Sequence, residues 1–301
     1  MHREESTVDE KVFGENPERE TALEYDPRTG EYRPVRPSRP FPRTQAILFA
    51  FTLVSTALVG GVSYSVALLA ILLTHEMGHY LMAKRHRIPA TLPYFLPMPF
   101  TIFGTFGAVI KMDGRRATRK QLFDVGVAGP LAGVVVAIPV TLIGIRLSRV
   151  VPEGFGAEQM ISLGDSLLFM LLSRIAAGPV PEGSTLLLHP LAFAGWVGLF
   201  VTALNLLPIG QLDGGHVLYG LLGRKAAPIA LAALGGFAIL ALVLSPGWLL
   251  LVFLLLYFGY RHPSALGEEV GLDSRRKGIG ILTLILFIVA FTPIPISFTM
   301  P

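Results

Sequence analysis

Seven apolar runs, at roughly 44–62, 64–83, 122–147, 190–207, 227–244, 247–260 and 278–294, restrict this chain to a fold solvated by lipid. A helix needs about 20 apolar residues to cross the hydrocarbon of a bilayer. Lipid offers backbone amides no water, so each run is predicted to satisfy its own hydrogen bonds as a helix. The 247–260 run is short and follows the tight turn Ser245-Pro246-Gly247, which predicts a hairpin of the two neighbouring spans and a count of six to seven. Residues 165–175 are apolar but too short to cross, and are expected at the membrane interface. The expected fold is an all-α polytopic membrane protein.

Composition agrees. The chain is 52% hydrophobic and 15% charged, against about 25% charged in soluble domains. Its net charge of +4 does not imply nucleic acid, because the basic residues lie in short loops with no basic face or binding module. With no cysteine, any metal must be held by imidazole and carboxylate.

Residues 1–43 carry eight Lys/Arg, ten Asp/Glu and six Pro, without the apolar run of a cleavable signal peptide. Such a segment buries too little surface to fold alone, and a flexible cytoplasmic tail is expected, with Pro34, Pro37, Pro40 and Pro42 as an extended lead into the first span. The remaining 44–301 form the predicted transmembrane domain. Placing 1–43, 84–121, 224–225 and 261–277 on one side collects 22 of the 25 Lys/Arg there, leaving Arg146, Arg149 and Arg174 opposite. Cytoplasmic loops carry that excess, so the tail is expected in the cytoplasm of a multi-pass cell-membrane protein.

Few acids lie within the spans: Glu76, Asp213, and Asp124 at a span mouth where it can face water. An ionisable side chain at bilayer depth costs a few kcal/mol or more, so it is a functional candidate. Glu76 belongs to His75-Glu76-Met77-Gly78-His79. Spacing i, i+4 sets both imidazoles on one helical face, where they can share a zinc ion, while Glu76 beside that face can take a proton from an activated water. A catalytic zinc wants a third protein ligand. Asp213 is the candidate, within Asn205-Leu206-Leu207-Pro208-Ile209-Gly210-Gln211-Leu212-Asp213-Gly214-Gly215-His216, where Pro208 and the glycines break the helix. Counting ~1.5 Å per residue, His75 lies ~13 Å from Lys84 and Asp213 ~16 Å from Arg224, so the two are level.

Asn205 is placed to donate to substrate or an oxyanion. His216, one turn past Asp213, reads as a ligand or, more naturally, as a group behind the ligands or a polar cap. His86, His189 and His262 fall in loops or at span ends and read as surface histidines, and His2 lies in the tail. Residues 101–111 are β-branched and aromatic, and follow Pro89, Pro93, Pro97 and Pro99. They predict a small membrane-associated β-hairpin, with a plain re-entrant loop as the alternative, and make Gly104, Phe106 and Gly107 candidate substrate-facing residues. Gly126, Gly129 and Gly133 around Pro130 read as close helix packing rather than chemistry.

The His75-Glu76-x-x-His79 motif and the later Asn205-x-x-Pro208-x-x-x-Leu212-Asp213-Gly214 pattern resemble the site-2 protease family of intramembrane metalloproteases, most closely its archaeal and chloroplast-type members. The likeness extends through 92–112 and 122–130, so a catalytic core of about 64–223 is covered. It implies one Zn²⁺ per chain on His75, His79 and Asp213, with Glu76 activating water. It also implies a transmembrane protein substrate cut inside the bilayer, as in regulated intramembrane proteolysis. Many members carry a PDZ or CBS domain; no stretch here suits either, so gating is expected from the membrane domain, the tail or a separate regulatory partner. The alternatives are a catalytically silent regulator or chaperone of the same fold, from which an intact Glu76 detracts, and an ion transporter, for which the expected internal repeats are lacking. A prenyl-protein processing protease would be expected to use Glu as third ligand.

Overall fold

The structure is a computed structural model that describes residues 23–26, 31–34, 42–114, 117–153, 161–259, 262, 265–266 and 270–298. The chain falls into two compact units, Met1–Pro42 and Arg43–Pro301. In the first, β1 (Leu23–Asp26) pairs antiparallel with β2 (Glu31–Pro34), setting Tyr25 opposite Tyr32. Composition alone predicts a flexible tail here. The two paired strands are local order that composition alone does not reveal. The rest of that expectation falls outside the described residues.

The second unit is mostly helical. Its first helical element, α1 (Arg43–Arg85), would be ~64 Å long if straight, twice the hydrocarbon thickness. It folds back instead at Gly61, whose φ of 80° a residue with a Cβ rarely adopts. Thr56 Oγ1 lies 2.7 Å from Ser65 Oγ, and Ser65 donates to the Leu53 carbonyl at 2.9 Å. A straight helix would hold Leu53 and Ser65 ~18 Å apart. The arms 43–60 and 62–85 therefore run side by side, joined through the Thr56 and Ser65 hydroxyls.

A hairpin of β3 (Tyr94–Pro97) and β4 (Thr105–Val109) follows, with a register irregularity between Phe95 and Pro97. Its base is tied to the end of α1, where Ile88 donates to the Ala83 carbonyl at 2.9 Å and Ala90 bridges Met112. Its tip reaches the turn between the arms, where Tyr64 Oη of the second arm donates to the Phe103 carbonyl and Ser55 Oγ of the first to that of Gly104. The hairpin thus lies along the whole second arm. Of the two sequence readings of this segment, the hairpin is the one seen.

Next comes α2 (Arg119–Leu147), started by a Thr118–Gln121 capping box. It packs on both α1 and α4 (Pro190–Asn205), while α5 (Asp213–Leu222) packs on it further along the chain. Between α2 and α4, β5 (Arg149–Pro152) pairs with β7 (Ser184–Leu187), and β6 (Ile161–Leu163) pairs with the late strand β8 (Ile296–Phe298). There α3 (Leu167–Ala177) buries Phe169 and Leu172 and exposes Leu167, Met170, Leu171 and Ile175, the apolar outer face expected of an interfacial helix. The chain closes with α6 (Ala226–Val243), α7 (Leu249–Phe258) and α8 (Ser274–Ala290). Asp273 caps α8, and hydrogen bonds from Arg276 hold its carboxyl below the usual range, at about 2. The stacked rings of Phe193, Trp196 and Phe200, with Trp248 tilted against Phe200, cement α4 to the C-terminal helices. By length and composition, Arg43–Arg85, Arg119–Leu147 and Asp213–Val243 are each able to cross a membrane.

Candidate metal centre

The second arm of α1 carries His75, Glu76 and His79, all buried. Helical spacing alone would bring the imidazoles to one face; here their Nε2 atoms stand 3.1 Å apart. After Asn205 ends α4, Pro208 and Gly210 (φ 58°) turn the chain so that Asp213 opens α5 beside them. That turn is tight: a Cβ at Gly214 would collide with the Leu206 carbonyl, and one at Gly215 with the Gly210 carbonyl. Asp213 Oδ2 lies 3.2 Å from His75 Nε2 and 3.2 Å from His79 Nε2.

Three donors, two neutral-capable nitrogens and one carboxylate oxygen, thus form a triangle with sides of 3.1, 3.2 and 3.2 Å. Zinc bonds of about 2.0–2.1 Å in tetrahedral array hold neighbouring donors roughly 3.3 Å apart, so the triangle fits one face of such a tetrahedron. The tautomer fits as well. His79 Nδ1 lies 2.9 Å from the Val125 carbonyl, an acceptor only, so Nδ1 carries the proton and Nε2 is left with its lone pair toward the triangle. Among the described residues this is the group of His, Asp and Glu able to hold a metal ion.

Glu76 is not part of the triangle. The backbone amide of Ile110, one residue past β4, lies beside its carboxylate. The zinc arm and the hairpin edge therefore meet at the candidate base. Asn205 Nδ2 is 3.3 Å from His75 Nε2, placing its amide beside the donors.

Other candidates are placed differently. Gly104 is not at the centre: its carbonyl is taken by Ser55 and its Cα abuts Thr56, eleven or more residues along α1 from His75. Positive φ (74°) and the close approach to Thr56 account for its glycine. Phe106 is 64% exposed, whereas Gly107 is buried yet has open space where a Cβ would be. His216 turns to His262, with 2.7 Å between Nδ1 and Nε2. Sequence position puts His86 on the surface and Asp124 facing water; instead His86 Nε2 lies 2.9 Å from Asp124 Oδ2, and Arg276 grips both oxygens of Asp124 at 2.7 and 2.8 Å. The reason is the approach of α8 to α2, which sequence spacing does not reveal.

Sequence reasoning also missed how closely α2 touches the ligands. A Cβ at Gly129 would collide with His79 Nε2, and one at Gly133 would press on His75 at 3.2 Å. Gly126 approaches His216 and the Asp213 carbonyl in the same way. The small-residue stripe is indeed packing, but what it packs against is the candidate metal centre.

The comparisons with known proteins agree with this geometry. The chain is 30% identical over 262 residues to "Probable zinc metalloprotease EGY1, chloroplastic" of Arabidopsis thaliana, covering 84% of this chain and 45% of that protein. It is 33% identical over 236 residues to the corresponding EGY2 of the same plant, covering 76% and 41%. A 39% match over 171 residues to EGY1 of Oryza sativa subsp. japonica covers 55% and 28%. The chain thus spans less than half the length of these relatives. The family model for peptidase family M50 matches residues 63–245, a stretch that holds both motifs and every donor of the triangle, and the chain belongs to that family.

Proposed function

We propose that this protein is an intramembrane zinc metalloprotease that hydrolyses peptide bonds within transmembrane helices of other membrane proteins. His75, His79 and Asp213 hold the zinc and Glu76 is the general base. The observation that carries this reading is the near-equilateral donor triangle of 3.1–3.2 Å with a carboxylate beside it. Zinc, when bound, supplies a Lewis acid that polarises the scissile carbonyl and makes water easier to deprotonate. Glu76 takes that proton and delivers it to the leaving nitrogen. Asn205 offers its amide hydrogens to the carbonyl oxygen as charge builds there. The test uses protein purified in detergent, measuring bound zinc and cleavage of a model transmembrane peptide. Wild type should hold about one zinc and cleave; Glu76→Gln should keep the zinc and lose ~10²–10⁴-fold in rate. A Glu76→Gln that still cleaves would remove Glu76 from this role.

A helical substrate must be unwound before its carbonyls are reachable, at a cost of several kcal/mol for each group left bare in lipid. The free side of β4 suits that need. Ile110 turns its amide to Glu76, and amides alternate along a strand, so Ala108 turns its own the same way, whereas Val109 faces Tyr94 in β3. An extended substrate segment can add to that edge and lie across the centre. Ala108→Pro removes an open-edge donor and spares the hairpin ladder, so cleavage should fall strongly at unchanged zinc content. Full activity of a folded Ala108→Pro protein would end the strand-addition idea.

The reading includes seven crossings with the tail, the hairpin base and the α7–α8 loop in the cytoplasm. Charge asymmetry supports it. So does parity: β6 and β8 pair, and Thr118 bridges Leu266, each of which needs an even number of crossings between partners. In a chain without cysteine, single cysteines at exposed Lys111 and Arg275 should resist impermeant thiol reagents added outside intact cells, and one at Arg149 should react. Outside labelling at Lys111 would reverse the orientation.

A further inference from the structure

The helix that carries Asp213 starts without a capping side chain. Leu212 occupies the cap position and makes no side-chain bond, and the Asp213 carboxylate faces the two histidines instead of its own backbone. Its first turn needs to be held from elsewhere. On one side stands α2, where a Cβ at Gly126 would lie 2.7 Å from His216 Cβ and 3.2 Å from the Asp213 carbonyl oxygen. On the other stands the loop between α7 and α8. His262 meets His216 at 2.7 Å, one ring nitrogen donating to the other. The His262 ring stacks flat on Tyr219, with centroids 4.1 Å apart and planes 9° from parallel. Tyr219 Oη in turn accepts the Ala265 amide at 2.9 Å. The next residue bonds to the start of α2 in both directions, Leu266 donating to Ala117 and Arg119 donating to Leu266. Arg119 also reaches across to the Gly220 carbonyl near the end of α5, at 3.0 Å.

From this arrangement we infer that His262 is a positioning residue for the third metal ligand, acting through His216 on the first turn of α5; the inference rests on Asp213 being that ligand. His216 is one turn past Asp213, so fixing its ring fixes the rotation of the turn from which the carboxylate projects. Tyr219, one further step along the same face, gives the loop a second hold and keeps the His262 ring from swinging away. His262, Ala265 and Leu266 thereby clamp α5 onto α2, from forty-six residues beyond their partners His216 and Tyr219. Outer partners of metal ligands set ligand orientation, and losing one costs about 10–100-fold in metal affinity or activity.

The test is zinc competition against a chelator with the full chain in detergent, alongside thermal unfolding of the metal-free protein. His262→Ala should bind zinc about 10–100-fold more weakly than wild type, at similar metal-free stability. His262→Gln, whose side-chain amide keeps hydrogen-bonding groups near the same place, should recover most of the loss. His216→Ala should match His262→Ala, and the double variant should be no worse than the weaker single, because the two share one interaction. Unchanged zinc affinity in His262→Ala would overturn the inference, as would additive losses in the double variant. If His262→Ala fails to fold, His216→Ala decides: zinc binding about 10–100-fold weaker supports the role, and wild-type affinity overturns it. A wild type that holds no zinc would sink the ligand assignment and this inference together. A zinc-holding Asp213→Ala variant would do the same by moving the third ligand elsewhere.

Discussion

The two sides of the metal centre are built in opposite ways. His75 and His79 come from one unbroken helical arm whose spacing aligns them, and α2 presses against that arm so closely that only glycine fits at 129. Asp213 comes from a broken stretch, at the uncapped start of a ten-residue helix, steadied by a glycine turn and by side chains from a distant loop. The first side is made by local periodicity and dense packing, the second by long-range contacts. Local order of the first kind survives small perturbations; the second depends on each of its few ties, because a short helix has little stability of its own.

The largest test of this contrast removes one ligand from each side. Asp213→Ala and His79→Ala should both reduce zinc affinity by more than the roughly 10–100-fold that loss of an outer partner brings. They should differ in the metal-free protein. His79→Ala leaves Val125 without its ring partner and opens space against Gly129, so it should also lower thermal stability. Asp213→Ala removes a buried carboxylate that is costly to desolvate, and the two imidazoles left behind can stay neutral and bond to each other at 3.1 Å, so the metal-free fold should be as stable as before or more so. Equal destabilisation by both would erase the distinction between the sides. Wild-type zinc content in Asp213→Ala would pass the third-ligand role on, with His216 the nearest further imidazole.

What is legible in the sequence follows the same line. The helical arms, the His75/His79 pair and the candidate base can be read because each depends on spacing within a few residues. Asp213 can be read because an acid at bilayer depth is too costly to keep without a task there. The short helix α3 is legible for a similar reason, an apolar run too short to cross. Long-range approach leaves no local trace. His262 and His86 look like ordinary loop histidines, yet one backs α5 and the other joins Asp124 and Arg276. Gly104 looks like a substrate-facing residue because it shares a β-like segment with Phe106 and Gly107, although the hairpin carries it to the far end of the zinc arm. The turn at Gly61 lies between two predicted spans, but the hydroxyl pair of Thr56 and Ser65 that closes it becomes apparent only with the arms side by side.

A smaller effect probes the dense side alone. Gly129→Ala adds one methyl group, and its Cβ would fall on His79 Nε2, so either the ring turns or α2 retreats. Overpacking of a well-filled core costs about 1–3 kcal/mol, and here the displaced atom is itself a metal donor. Thermal stability should therefore fall by that amount, and zinc affinity should fall with it because His79 can no longer keep both Val125 and the triangle. Gly235→Ala makes the control: no atom lies within 4 Å of its would-be Cβ, and alanine is the better helix former by about 1 kcal/mol, so zinc binding should be unchanged and stability equal or higher. Should Gly129→Ala bind zinc as wild type does, α2 would not be a rigid wall, and both sides of the centre would be adjustable. Should it lose zinc while keeping its stability, the wall acts on the ligand's orientation rather than on the fold, which places the constraint on function directly.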